Sequence, residues 1–151
     1  HMGQKPLFFA RVGDELLFAS EVKSILAAGL VEPRPQLEAP WHYMSLRFIP
    51  DRYTLFEGIE KLPAAHVAVW RDGELDVERY WSFDFRDKLT GSETEVADGL
   101  ESLLLDTVDK HLLSDVPVGA FLSGGVDSSL VAAMMAKATD DPIPSFSIGV
   151  K

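Results

Sequence analysis

Residues 118–135 constrain this chain more than any other stretch: Val-Gly-Ala-Phe-Leu-Ser-Gly-Gly-Val-Asp-Ser-Ser-Leu-Val-Ala-Ala-Met-Met. An apolar run ends at Ser123, Gly124 and Gly125, and an apolar helical pattern begins within three residues of it. That order predicts a buried strand, a glycine turn and a helix N-terminus. Glycines let the backbone approach a ligand closely. Unpaired N–H groups and the positive end of the helix dipole both favour an anion there. Ser123, Ser128 and Ser129 add hydroxyl donors. Asp127 alone would repel phosphate, and it fits the site if a magnesium ion lies between them. A hard cation takes carboxylate and phosphate oxygens together. An ordinary strand-to-helix turn also uses Ser and Asp as caps. Here Ser-Gly-Gly, Asp127 and the serine pair coincide at one junction, which favours a phosphate site. It is not a Walker loop: G-x-x-x-x-G-K-[ST] is absent, and no Lys lies between Asp115 and Lys137.

The flanking sequence supports the same reading. Ser92 and Glu95 form a capping box that starts a helix of five or six turns. Val96, Leu100, Leu103, Leu104, Val108 and Leu112 are expected on its buried face, and Glu101, Asp109 and Lys110 on a solvated one. Pro117 ends that helix region and starts the strand into the glycine turn. The helix after the turn runs to about Lys137 and breaks at Thr139-Asp140-Asp141-Pro142; these acidic residues are read as a helix-ending loop. Residues 143–150 read as a second buried strand. Strand, helix and strand make a right-handed parallel βαβ unit. Ligands bind such sheets at the carboxyl ends of the strands, where Ser123-Gly124-Gly125 and Ile148-Gly149 fall. One crossover cannot cover a parallel sheet, so the chain is expected to be a fragment or to be completed by a partner.

The first half has a different texture. Leu7-Phe8-Phe9-Ala10-Arg11 and Leu16-Leu17-Phe18-Ala19 read as a hairpin about Gly13-Asp14. Ser20 is expected to cap a short helix from Glu21 to Ala28 that closes at Gly29. Pro33, Pro35 and Pro40 mark a loop into a second helix, where Trp41, Met44 and Phe48 share a face expected to be packed. Tyr53 to Pro63 reads as irregular. His66-Val67-Ala68-Val69-Trp70 and a return strand from Leu75 form a second hairpin about Asp72-Gly73, with His66 structural. Residues 79–85 are aromatic and extended, and residues 86–92 read as a linker.

Composition removes several classes. A net charge of −10 opposes a nucleic-acid surface, which needs a basic footprint. With no cysteine the chain has no disulfide, thiolate nucleophile or Cys-based metal site. No apolar run approaches the roughly 18 residues of a membrane span and no signal peptide is visible, so a cytoplasmic setting is the expectation. His1-Met2 resembles an expression scar.

Ser123-Gly124-Gly125-Val126-Asp127-Ser128 resembles the pyrophosphate loop (PP-loop) of the ATP pyrophosphatase family. Asp115-Val116-Pro117-Val118-Gly119-Ala120-Phe121-Leu122 before it and Phe146-Ser147-Ile148-Gly149 after it resemble the glutamine-hydrolysing asparagine synthetase branch. Lys5-Pro6-Leu7-Phe8-Phe9, Phe18-Ala19-Ser20-Glu21-Val22-Lys23, Ile59-Glu60-Lys61-Leu62-Pro63 with His66, and Arg79-Tyr80-Trp81 resemble the end of that family's glutaminase domain. The resemblance implies a mixed α/β and α+β chain. Residues 3–85 would be the C-terminal part of an N-terminal-nucleophile glutaminase domain, and 86–92 a linker. Residues 93–151 would be the first βαβ unit of a parallel-sheet ATP pyrophosphatase domain.

The same resemblance implies a chemistry. Glutamine supplies ammonia; Mg-ATP converts aspartate to a β-aspartyl-adenylate, releasing pyrophosphate; ammonia then yields asparagine and AMP. Ser123, Gly124, Gly125, Asp127 and Ser128 would hold the β- and γ-phosphates, with Asp127 also on magnesium. Phe121, Leu122 and Ile148 would border the adenine. The family's glutaminase uses a cysteine nucleophile and this chain has none, so the chain alone is expected to be inactive. Two other readings stay open: a β-lactam-synthetase-like adenylating ligase, and a non-catalytic nucleotide-binding or interaction module. Truncated faces would also invite self-association into a homo-oligomer.

Overall fold

Gly13, at φ +59°, is the first central residue of a two-residue hairpin loop, where a type II′ turn requires a positive φ. It joins β1 (Phe8–Val12) to β2 (Glu15–Ala19) in an antiparallel register from Phe8 opposite Ala19 to Val12 opposite Glu15. A third strand, β3 (Glu60–Lys61), pairs with β1 on its other edge, giving the order β2-β1-β3. It lies inside the stretch expected to be irregular. Thr54 secures that approach: its buried hydroxyl lies 2.9 Å from the Phe56 carbonyl and 2.8 Å from the Ile59 carbonyl, and accepts the Phe56 N–H at 3.1 Å.

The computed structural model describes residues 1–149 and divides the chain into two units, His1–Phe85 and Arg86–Lys151. In the first unit, α1 (Val22–Ala27) closes over the sheet. Ile25, 2% exposed, packs with Ala10 and Ile59 at the centre of the core. The expected Ser20 cap is not formed. Glu21 occupies the N-cap position without a side-chain capping hydrogen bond, and no acidic residue lies in the first turn. Burial of Ile25, rather than capping, therefore fixes this six-residue helix. Gly29, at φ +72°, does close it.

The helix α2 (Glu38–Leu46) departs from expectation in its packing. Only Ala39 is buried; Trp41, Met44 and Phe48 are 75%, 80% and 59% exposed. The stripe is amphipathic in sequence, but no described neighbour covers it. The second hairpin, β4 (His66–Arg71) with β5 (Glu74–Arg79), turns at Asp72 and Gly73. Both have positive φ, the requirement of a type I′ turn. His66 Nδ1 lies 2.8 Å from the Ala64 carbonyl. A carbonyl can only accept, so this nitrogen carries the hydrogen, consistent with a structural histidine.

In the second unit, α3 (Glu93–Leu112) begins with both halves of the capping box. Its apolar residues do not share one face. At about 100° per residue, Val96, Leu100 and Leu103 cluster on one strip and remain exposed. Leu104, Leu105, Val108 and Leu112 lie further round and are partly buried on the side carrying Glu101. Glu101 was expected on the solvated face; it is instead half-buried and ion-paired to Lys137 of α4 (Val126–Ala138), against which α3 packs.

The last two strands, β6 (Ala120–Phe121) and β7 (Ser145–Phe146), are parallel and connected through α4. Both are shorter and more exposed than the buried strands expected here. Phe121 is 81% exposed and Phe146 57%. A parallel strand is buried when it has neighbours on both edges and helices on both faces; among the described residues each has one partner strand. Val150 of the expected strand lies outside the described residues. Among the described residues, no helix is long and apolar enough to cross a membrane.

Candidate phosphate-binding loop

The site is built where β6 gives way to α4. Gly119, just upstream, permits the strand pair to close. A Cβ at this position would lie 2.9 Å from both Phe146 Cε2 and the Pro144 carbonyl oxygen. Ala120 N–H then donates to Pro144 O at 2.9 Å and Leu122 N–H to Phe146 O at 2.8 Å. These rungs carry the chain to Ser123 at the carboxyl end of β6.

Beyond them the backbone turns sharply. Gly124 adopts φ +81°, a left-handed conformation that a side chain would strain. Gly125 needs no such freedom: at φ −78° it is the N-cap residue of α4 and provides no capping side chain. A Cβ here would make ordinary contacts, 3.5 Å from Ser123 Oγ and 3.9 Å from Ser128 Oγ. Ser129 N–H donates to Gly125 O at 3.1 Å, the first turn of the helix. The preceding N–H groups at this end are the ones a helix leaves without internal acceptors.

Two of the predicted hydroxyls meet. Ser123 Oγ and Ser128 Oγ are 2.9 Å apart, and Ser128 Oγ donates to Gly125 O at 3.1 Å. Ser128 has one hydroxyl hydrogen. Once it is given to the carbonyl, Ser123 is the donor in the serine pair. Ser123 Oγ in turn accepts Gly125 N–H at 3.4 Å. The five predicted phosphate residues thus share one short junction, with Ser128 half-buried and the others exposed. Asp127 lies in the first turn of α4.

The loop's donor set fits a phosphate: a positive-φ bend, two hydroxyls and a helix N-terminus, with no lysine in the loop sequence itself. Asp127 is its single carboxylate, and the described residues contain no cluster of three or more His, Cys, Asp or Glu able to hold a metal. A magnesium ion here would take most of its ligands from phosphate oxygens and water, its usual mode in nucleotide sites. The proposed adenine border is only partly assembled. Phe121 and Leu122 adjoin the loop and Ile148 follows β7, but Phe121 and Ile148 are 81% and 89% exposed. Phe121 instead faces Phe146, their ring centroids 6.3 Å apart.

Sequence reasoning gave no role to Ser147, whose hydroxyl donates to the Leu122 carbonyl at 2.6 Å. The available signal was its register: Phe121 pairs with Phe146, so Ser147 falls opposite Leu122. Gly119 was likewise quoted without a role, since a close strand approach is invisible along one strand.

A glutamine amidotransferase domain model matches residues 1–81, and an asparagine synthase model matches residues 99–151. Asparagine synthetase [glutamine-hydrolyzing] 1 of Bacillus subtilis is 34% identical over 97% of this chain and 23% of the relative. Asparagine synthetase [glutamine-hydrolyzing] 3 of the same organism is 34% identical over 97% and 25%, respectively. Amidase chry2 of Gibberella zeae is 38% identical over 88% of the chain and 20% of its own length. The chain therefore spans about a quarter of the length of these curated relatives. One family model covers more than half of the 151 residues and the second takes in the candidate loop, so the chain belongs to the glutamine-hydrolysing asparagine synthetase family.

Proposed function

We propose that the second unit binds the phosphates of Mg-ATP, and that the longer protein uses them to activate aspartate toward ammonia released from glutamine. The side-chain carboxylate of aspartate attacks the α-phosphorus, and the bond from that phosphorus to the bridging pyrophosphate oxygen breaks. Ammonia then displaces AMP from the β-aspartyl-adenylate, giving asparagine. Domain limits of 3–85 and 93–151, joined by 86–92, follow from the same reading. The first would be the end of an N-terminal-nucleophile glutaminase and the second the start of a PP-loop ATP pyrophosphatase domain.

The observation that carries this reading is Gly124 at φ +81°, between hydroxyl-bearing Ser123 and the start of α4. Backbone N–H groups at that bend and the helix end favour charge on a departing pyrophosphate. Ser123 and Ser128 exchange their mutual hydrogen bond for phosphate oxygens. Asp127 takes magnesium, which supplies neutralisation of the leaving group. Phe121, Leu122 and Ile148 offer apolar surface to the adenine.

A Mg-ATP titration of this chain beside Asp127→Ala tests the site. Binding should require magnesium and weaken roughly tenfold or more in the variant, the loss of about 1.4 kcal/mol or more of contact. Equal affinity in both rejects the assignment. The chain has no cysteine to release ammonia from glutamine. With glutamine, aspartate and Mg-ATP it should form no asparagine; sustained formation in a product assay contradicts this.

A further inference from the structure

The parallel ladder ends one residue before the phosphate loop, and a side chain stands at its next rung. Phe121 pairs with Phe146, and Leu122 N–H still donates to Phe146 O at 2.8 Å. Continued in that register, the following rung would bring the Ile148 N–H to the Leu122 carbonyl. The donor found at that carbonyl is Ser147 Oγ, at 2.6 Å. The two strands can therefore part beyond Leu122 while the last carbonyl of β6 stays tied to the end of β7. Parting strands create the crevice in which open parallel sheets bind ligands.

The carbonyl concerned is not incidental. Leu122 C=O and Ser123 N–H belong to one rigid trans peptide and point in opposite directions across it. Fixing the carbonyl against β7 therefore also fixes the first N–H of the loop. It sets the direction in which the chain enters Gly124 as well, whose positive φ makes the bend. We infer that Ser147 is a positioning residue for the phosphate loop, orienting the Leu122–Ser123 peptide so that residues 123–125 are preset for a pyrophosphate-bearing ligand. Ser147 acts through that peptide and does not touch the phosphates. The ligand half of the inference rests on the phosphate-site reading above; the positioning half does not.

The test uses the whole chain, with Ser147→Ala and Ser147→Thr, read by amide hydrogen exchange and by magnesium pyrophosphate titration followed at individual amides. Without ligand, Ser147→Ala should speed exchange at Leu122 and Gly125, the loop amides with acceptors at Phe146 O and Ser123 Oγ, by roughly threefold to tenfold, the range for one hydrogen bond of typical net strength. Exchange in the middle of α3, at Leu104 and Val108, should stay unchanged. Ser147→Thr keeps the hydroxyl and should restore the wild-type loop rates. Unchanged loop exchange in Ser147→Ala, or no rescue by Ser147→Thr, overturns the positioning role whether or not any ligand binds. A general loss of folding would accelerate Leu104 and Val108 too, and likewise counts against it. In the titration, Ser147→Ala should bind roughly threefold to tenfold more weakly. If the exchange results hold but the wild type shows no pyrophosphate response at residues 123–125, the phosphate-site reading fails and the positioning result stands.

Discussion

The β1–β2 hairpin and the β6–β7 pair are both two strands joined to a helix, yet they differ in how far they complete themselves. The hairpin has a register five residue pairs long, a two-residue turn and a helix whose Ile25 is sealed against it. The parallel pair has two residue pairs, a 23-residue connection between Phe121 and Ser145, and exposed aromatic rings at Phe121 and Phe146. An antiparallel pair can close through a tight turn, whereas a parallel pair must first span a crossover. The candidate loop lies on the less complete pair. A carboxyl-end crevice requires strands that part, and parting leaves side chains without neighbours.

The largest effect should come from emptying the self-contained region. Ile25→Ala removes the central side chain between Ala10 and Ile59, and should cost about 2–5 kcal/mol of stability, read as a lower urea midpoint. Amide exchange should rise across β1 and β2. A cost below 1 kcal/mol, with β1 exchange unchanged, would remove the claim that this hairpin depends on a sealed core.

Gly119→Ala attacks the other member of the comparison. The added methyl meets a backbone oxygen and a ring carbon at 2.9 Å, so the strands must separate, at a cost of about 1–3 kcal/mol. The amides of Ala120 and Leu122 should lose protection while the Ala10 and Leu17 amides, paired across the first hairpin, keep theirs. Preserved protection at Ala120 would show that the close approach is dispensable. Thr54→Val then sharpens the first region. It leaves the Phe56 N–H and the Ile59 carbonyl without their buried partner, at about 1–3 kcal/mol. The pairing of Phe9 with Glu60 should weaken before that of Phe9 with Phe18.

What could be read along the chain divides in the same way. Both hairpins were legible because Gly13-Asp14 and Asp72-Gly73 state their turns locally. The Ser92–Glu95 box was legible for the same reason, and Ser123-Gly124-Gly125 announced its junction by strand and helix patterns on either side. Features decided by distant partners were not. Glu101 faces α4, although it was placed opposite the assumed apolar face, because at about 100° per residue it falls between Leu104 and Leu112 on the side that packs. The exposure of Trp41 and Met44 depends on which neighbours are present, and amphipathicity carries no such information. Ser20 has the composition of a cap, but a six-residue helix fixed by Ile25 formed without it. Ser147 needed the register of two strands 25 residues apart before its hydroxyl could be placed.

The smallest expected effect tests whether a purely local device exists in the same unit as the incomplete strand pair. The Glu95 carboxylate accepts the Ser92 N–H at 2.8 Å and the Ser92 hydroxyl at 2.8 Å, while Glu95 N–H donates to Ser92 Oγ at 3.3 Å. The backbone bond, and then the hydroxyl bond, lower the Glu95 pKa from its ordinary value. The unfolded chain therefore binds this proton more readily than the folded one. The cap's contribution is complete above the unfolded pKa and disappears as pH falls through the lower folded one. Exchange at the first turn of α3 should accordingly accelerate on acidification through that window. Glu95→Gln retains an acceptor that suits the box but does not titrate, so its first turn should lose this acid step while remaining ordered near neutrality. Ser92→Ala should loosen the first turn roughly fivefold at neutral pH, the usual consequence of losing a Ser N-cap. An identical acid step in Glu95→Gln would assign the transition to another group. A first turn insensitive to both substitutions would mean that α3, like the strands beside it, takes its order from packing rather than from its cap.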